Sequence, residues 1–299
     1  MRVRALFTMP AGLGRLIAAV ASAALTLFAS PAHAEPAMWV VKDADSTLYL
    51  LGTFHLIKPD THWRSDKIEA AFKDSDELWL EASPNSNEAM LQKLLLKYGF
   101  DRQHPLSGKL NGDDWAKVQS AAELGGVPVE AVEQMRPWLA ALTLVVAPMM
   151  KEGYDPEKGA DRQLELSAQS GNKIVKTFET PGQQLELFSS LPQQSEVAFL
   201  IQTLDEIAAG PKYVDRMADA WLAGDTGELE AMVLNGMKED APELYDALIV
   251  RRNLDWCNQI ETVMKGAGTS FVAVGAGHLV GDQSVPAILA KRGFTVTPY

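Results

Sequence analysis

Residues 48–55 read LYLLGTFH and residues 271–278 read FVAVGAGH. In each, four apolar residues run directly into Gly-x-x-His. An apolar run without polar alternation is the pattern of a strand buried on both faces, as in the parallel part of an α/β sheet. A glycine at its end lets the backbone turn and sets the next residues at the strand's carboxyl end, where open α/β sheets bind ligands. The two runs therefore predict one sheet built from both ends of the chain, with His55 and His278 converging across adjacent strands. The competing reading, that each histidine only caps a helix or hydrogen-bonds in a loop, stays open at this point.

Working outward, short runs rich in β-branched and aromatic residues predict strands at Met38–Lys42, Thr47–Leu51, Glu77–Leu80, Lys173–Phe178, Ser270–Val274 and Phe294–Thr297. They cluster at the two ends, with one in the middle. Between them helical periodicity predicts helices near 64–73, 87–98, 113–124, 136–150, 156–170, 193–209, 211–223, 226–235 and 242–265. A last helix begins at Asp282 or Ser284, just before Pro286, and stops at Gly293. The fold class is α/β: a mixed sheet core from the N- and C-terminal parts with a long, mostly helical middle region. Residues 35–299 read as one domain, with a helical insertion at about 85–265 interrupted by the strand near 173–178.

Two further strand patterns end in a carboxylate. Asp76–Glu81 reads DELWLE and would set Glu81 on the same sheet edge as His55; Lys173–Glu179 reads KIVKTFE and sets Glu179 there too. The plainer reading of Glu179 is a solvated carboxylate before a Pro181–Gly182 turn. Two histidines and a glutamate suit several divalent metals, and a metal with an open position lowers the pKa of bound water and polarises a carbonyl. His55, Glu81 and His278 are the candidate metal ligands. Glu81 is alternatively the general base, with Glu179 assisting.

The ordered set GTFH (52–55), ELWLEAS (77–83), FETPGQQ (178–184), RRN (251–253) and VAVGAGHLVGD (272–282) resembles the TraB/GumN family, which includes bacterial pheromone-shutdown proteins and the animal Tiki proteases. The resemblance spans about Leu48 to the C terminus. It implies a metal-dependent peptidase-like site centred on His55, Glu81 and His278, using a divalent ion such as manganese, cobalt or zinc and a peptide or protein substrate. It also makes Arg252 similar to the family's basic active-site residue, suited to stabilising an oxyanion or a substrate carboxylate. The implied fold is an α/β core shared with erythromycin-esterase-like and ChaN-like proteins.

Other features bound the function. Arg2, Arg4 and Arg15 lead into the apolar run Leu16–Ser30, and Ala32-His33-Ala34 follows. That is the layout of a signal peptide cleaved after Ala34, and it predicts a periplasmic or secreted protein with no stable membrane insertion. Residues 35–299 then carry 24 basic against 39 acidic residues, a net charge of −15. So acidic a chain argues against nucleic acid and anionic membranes as partners. The single Cys257 allows no intramolecular disulfide and reads as a small buried side chain on a helix. There is no His-Glu-x-x-His, Gly-x-Ser-x-Gly or Walker loop, and Gly275-x-Gly277-x-x-x-Gly281 is one residue too long for a dinucleotide fingerprint. His62 and His104 read as surface residues; Trp63, Trp115 and Trp256 read as core or boundary residues at helical positions.

Overall fold

A computed structural model of the chain describes residues 35–83 and 88–299. The expected signal peptide lies outside the described residues. Glu35–Tyr299 forms a single unit.

Strand β1 (Met38–Lys42) turns back into β2 (Ser46–Thr53) through a hairpin closed by Asp43, whose carboxylate accepts the Ser46 N–H at 2.8 Å. Then come α1 (Asp66–Asp74), β3 (Glu77–Leu80), α2 (Glu88–Tyr98), α3 (Gly112–Gly125), α4 (Pro137–Lys151) and α5 (Ala160–Ser170). They are followed by β4 (Ile174–Thr177), α6 (Pro181–Ser189), α7 (Gln193–Ala208) and α8 (Pro211–Leu222). After short helical turns the chain enters α9 (Arg251–Met264), β5 (Gly268–Gly275), α10 (Val285–Lys291) and β6 (Thr295–Pro298).

The six strands form one mixed sheet in the order β4-β3-β5-β2-β1-β6. β4, β3, β5 and β2 run parallel, while β1 is antiparallel to both β2 and β6. Alternate β2 residues serve opposite faces. Tyr49 and Leu51 join Phe271, Ala273, Leu78 and Leu80 against α1, α5 and Trp221 of α8. Leu48 and Leu50 join Val272 and Val274 against Trp256, Cys257 and Ile260 of α9 and Ile288 and Leu289 of α10. Because both faces are covered, β2 and β5 carry apolar side chains at successive positions, which is why their sequences do not alternate. A separate cluster of α3, α4 and α7 around Val118, Ala140, Leu144 and Leu200 fills the helical middle.

All six expected strands form, and the architecture is the α/β one expected. The boundaries correct three readings. The Pro181–Gly182 segment is not a turn but the start of α6, because Thr180 and Gln183 close a reciprocal capping box around Pro181. The helix expected over 156–170 is broken at Gly159, whereas the cap expected at Asp282 or Ser284 forms at Ser284, which accepts the Ala287 N–H at 3.3 Å. Trp63 sits before α1 rather than at a helical position, although it is buried. Cys257 is fully buried on α9, where burial pushes its thiol up to about 12.

Candidate active site

Four parallel strands deliver four chemically active residues to one edge. Glu179 follows β4, Glu81 follows β3, His278 follows β5 and His55 follows β2, in the order in which the strands lie. Parallel pairing persists one step beyond the strands, since the Glu179 N–H donates to the Glu81 carbonyl at 2.8 Å.

The two Gly-x-x-His segments do not present their histidines equivalently. Gly52 lies inside β2, opposite Val274, whereas Gly275 is the last residue of β5, opposite Thr53. His55 consequently leaves a bend with 53% of its side chain exposed, while His278 lies in a short 3-10 turn, Ala276–His278, with 7% exposed. What holds His55 is the start of α5: the Ala160 N–H donates to the Phe54 carbonyl at 3.0 Å, and the Cα of Gly159 packs so closely on the His55 carbonyl that a Cβ has no room. Docked there, α5 offers Asp161, whose Oδ1 stands 3.2 Å from His55 Nδ1. Desolvation would push the His55 pKa down, but the Asp161 carboxylate, with Glu81 behind it, outweighs that and holds it at about 9.

His278 is settled by Asn253. The Asn253 amide Nδ2 donates to the Gln283 carbonyl at 2.8 Å and towards the His278 carbonyl at 3.4 Å, which fixes its Oδ1 as the atom 2.6 Å from His278 Nδ1. The proton therefore sits on Nδ1. Nε2 is left as an acceptor, and Arg252 Nη1, always a donor, lies 3.0 Å from it. Burial drives the His278 pKa down to about 3, in agreement with a neutral ring.

Arg252 is the hub. Nε and Nη2 grip Glu179 at 2.9 to 3.2 Å, Nη2 also reaches Glu81 Oε2 at 2.7 Å, and Nη1 divides between the Leu248 carbonyl at 3.2 Å and His278. All five N–H groups of the guanidinium thus have acceptors. Burial works against the charge, and the two carboxylates hold the Arg252 pKa up. Trp256 lies beneath: its ring centroid is 4.7 Å from the guanidinium carbon and 4.4 Å from the His278 ring, and its Nε1 donates to Glu179 Oε1 at 2.9 Å. Glu81 uses its other oxygen to accept the Gly275 N–H at 2.6 Å. Desolvation alone would raise its pKa; His278, Arg252 and His55 pull it down to about 2.

These contacts surround a point with no side chain. A Cβ built on Gly275 would stand 3.0 Å from Glu81 Oε1, 3.3 Å from His55 Nε2 and 3.8 Å from His278 Cδ2. All five sequence candidates, His55, Glu81, Glu179, Arg252 and His278, therefore belong to one cluster. For a divalent ion the donor chemistry of this cradle is right in kind: one carboxylate and two imidazoles, each with Nδ1 tied to an outer oxygen, with His55 having to give up its Nε2 proton on binding. The guanidinium stands between the donors of two of them, Glu81 and His278. His278 Nε2 and Glu81 Oε1 are 3.8 Å apart, and among the described residues no three His, Cys, Asp or Glu side chains close around an ion. The residues fit a metal by kind, with Arg252 on His278 Nε2 and Glu81 Oε2.

Sequence reasoning missed Asp161, Asn253 and the polar role of Trp256. Arg252, Asn253 and Trp256 stand at i, i+1 and i+4 on α9, one helical face, and that spacing is legible in RRNLDW. Asp161 has no such local signal, because its role depends on where α5 docks. His62 and His104 are exposed, as read.

A model of the TraB/PrgY/gumN family matches residues 37–298. The chain belongs to the TraB/PrgY/gumN family. Within it, the chain is 23% identical over 254 residues to "Uncharacterized protein YbaP" of Escherichia coli (strain K12), covering 85% of this chain and 92% of that relative. It is 21% identical over 275 residues to an "Uncharacterized protein" of Treponema pallidum (strain Nichols), covering 87% and 82% respectively. No solved structure matches it significantly. The matched region of this TraB/PrgY/gumN protein spans every strand and every residue of the cluster.

Proposed function

We propose that the protein is an exported hydrolase that cleaves a peptide or related amide bond at the Gly275 cradle, with a divalent ion, manganese, cobalt or zinc, held by His55, Glu81 and His278. The supporting observation is that Glu81 Oε1, His55 Nε2 and the edge of the His278 ring, from three adjacent strands, crowd one point beside Gly275 where a Cβ would be tight. Export rests on the basic, apolar and small-residue succession over residues 1–34.

A divalent ion, when bound, lowers the pKa of its water and polarises the scissile carbonyl. The chain's own residues supply the rest. Glu81 Oε1 accepts one backbone N–H and keeps a lone pair towards the cradle, the one it would offer to the ion. His55, half-exposed, faces the same point and can bind or give a proton on Nε2. Glu179 is occupied by Arg252 and Trp256, which makes it a positioning residue rather than an assisting base. Arg252 can meet developing negative charge through Nη1 by releasing His278 Nε2, the one neutral acceptor among its side-chain partners.

The test is metal content and calorimetry with manganese, cobalt and zinc on the purified protein and on His55→Ala and His278→Ala, followed by a peptide-library digest of the wild type and Glu81→Gln. Stoichiometric binding lost in both histidine variants, with cleavage lost in Glu81→Gln, is the expected result. A folded wild type that binds no metal sinks the metallohydrolase. A second reading, a protein that binds a peptide or metal without turning it over, is favoured by the full engagement of Arg252; it predicts binding with no cleavage by the wild type.

A further inference from the structure

Behind Phe54, between α4, α7 and α8, lies a cavity of about 200 Å³. Cavities of roughly 150 Å³ with apolar walls take up benzene. The walls here are mainly apolar, with Phe54, Val145, Met149, Ile207, Val214 and Met217 prominent. Set among them are Glu152, Glu206 and Asp215, against the one ammonium of Lys151.

These charges are not equally satisfied. Asp215 is paired with Lys58 at 2.8 Å and accepts the Tyr154 hydroxyl at 2.8 Å. Lys151 Nζ donates to the Leu124 carbonyl at 2.8 Å. Glu206 accepts one hydrogen bond, from Gln202 Nε2 at 3.1 Å, and among the described residues it forms no ion pair. Burial accordingly pushes its carboxyl above the usual range. Gly210, at φ +88°, borders the cavity, and a Cβ there would meet nothing within 4 Å. A mainly apolar pocket containing a half-buried carboxylate without a counter-ion selects for an apolar body with a positive head, and an anionic amphiphile would be repelled by that carboxylate.

We propose that this cavity is a binding site for a small aryl- or alkyl-ammonium compound, its apolar body against Phe54, Met149 and Val214 and its ammonium on Glu206. The site is separate from the Gly275 cradle and does not rest on the hydrolase reading.

Three probes of similar size and opposite or no charge test it by calorimetry on the purified protein: phenethylamine, propylbenzene and 3-phenylpropionate. Phenethylamine binds one to one, and 3-phenylpropionate binds at least about tenfold more weakly, a gap of roughly 1.4 kcal/mol. Glu206→Gln removes the preference for the amine over propylbenzene. Val214→Trp, which fills the cavity from α8, abolishes binding of all three; Ile207→Trp does the same from α7 should the first variant fail to fold by circular dichroism. No binding by the folded wild type, equal affinity for cation and anion, or binding that survives both filled variants overturns the proposal.

Discussion

Arg252 Nη2 lies 2.7 Å from Glu81 Oε2, although 171 residues separate them in the chain. The same guanidinium holds Glu179, which follows the neighbouring strand, so one cation sits between two carboxylates at the ends of β3 and β4. All three side chains are mostly buried, 13% exposed for Arg252 and Glu81 and 11% for Glu179. Carboxylates this close in poor solvent tolerate each other only with such a partner.

Arg252→Gln therefore leaves two buried negative charges uncompensated. Its expected cost is about 3 kcal/mol, read as a lower urea midpoint with unchanged slope. Arg252→Lys keeps the charge and loses the planar fork, so its midpoint falls between the two. A midpoint for Arg252→Gln equal to that of the wild type would show that charge does not hold the cluster.

Asn253, fully buried, accepts from His278 Nδ1 and so selects which nitrogen carries the proton. In the wild type, nitrogen-15 spectra are expected to show His278 protonated on Nδ1 alone. Asn253→Leu removes that acceptor and leaves the Gln283 carbonyl short of a donor, at an expected cost of about 2 kcal/mol. Its His278 should show a mixture of tautomers; an unchanged spectrum would assign tautomer control to Arg252 instead.

The strands and three of the site residues were readable because each was encoded locally. LYLLGTFH and FVAVGAGH carry an apolar run and its polar terminus within eight residues, and DELWLE does so within six. What was not readable depended on how elements dock. Glu179 read equally well as a solvated carboxylate, because its partner Arg252 lies 73 residues away. Asp161 meets His55 only because α5 seats its first turn on the Phe54–His55 backbone. The helix at Pro181 was hidden by Pro-Gly, a pair that marks turns as often as helix starts, and only the Thr180–Gln183 cap decides between them.

Asp101 is a defined contributor to acid sensitivity outside the cluster. Lys109 and His104 hold the Asp101 carboxylate down at about 2, Lys109 foremost. The ordinary carboxylate value is about 3.9. A pKa lowered on folding stabilises the native state above the unfolded value and loses that contribution as pH falls through the folded one. Asp101→Asn is thus expected to be less stable than the wild type at pH 7, with the difference shrinking between about pH 4 and pH 2. Denaturant titrations at pH 7, 4 and 2.5 measure it, and a difference that grows towards low pH would contradict the assignment.

Gly275 offers the sharpest separation of site from scaffold. Its φ of −49° suits any residue, so Gly275→Ala strains no backbone. The new methyl would nevertheless stand 3.0 Å from Glu81 Oε1 and 3.3 Å from His55 Nε2. Glu81 cannot easily retreat, because the Gly275 N–H and Arg252 hold its two oxygens. The expected outcome is a change in stability within about 1 kcal/mol, together with loss of metal affinity and turnover of at least about tenfold. Gly108→Ala, where a Cβ meets nothing within 4 Å, is the matched control and should change neither. If Gly275→Ala bound metal and turned over substrate like Gly108→Ala, the reacting centre would have to lie somewhere other than the cradle between His55, Glu81 and His278.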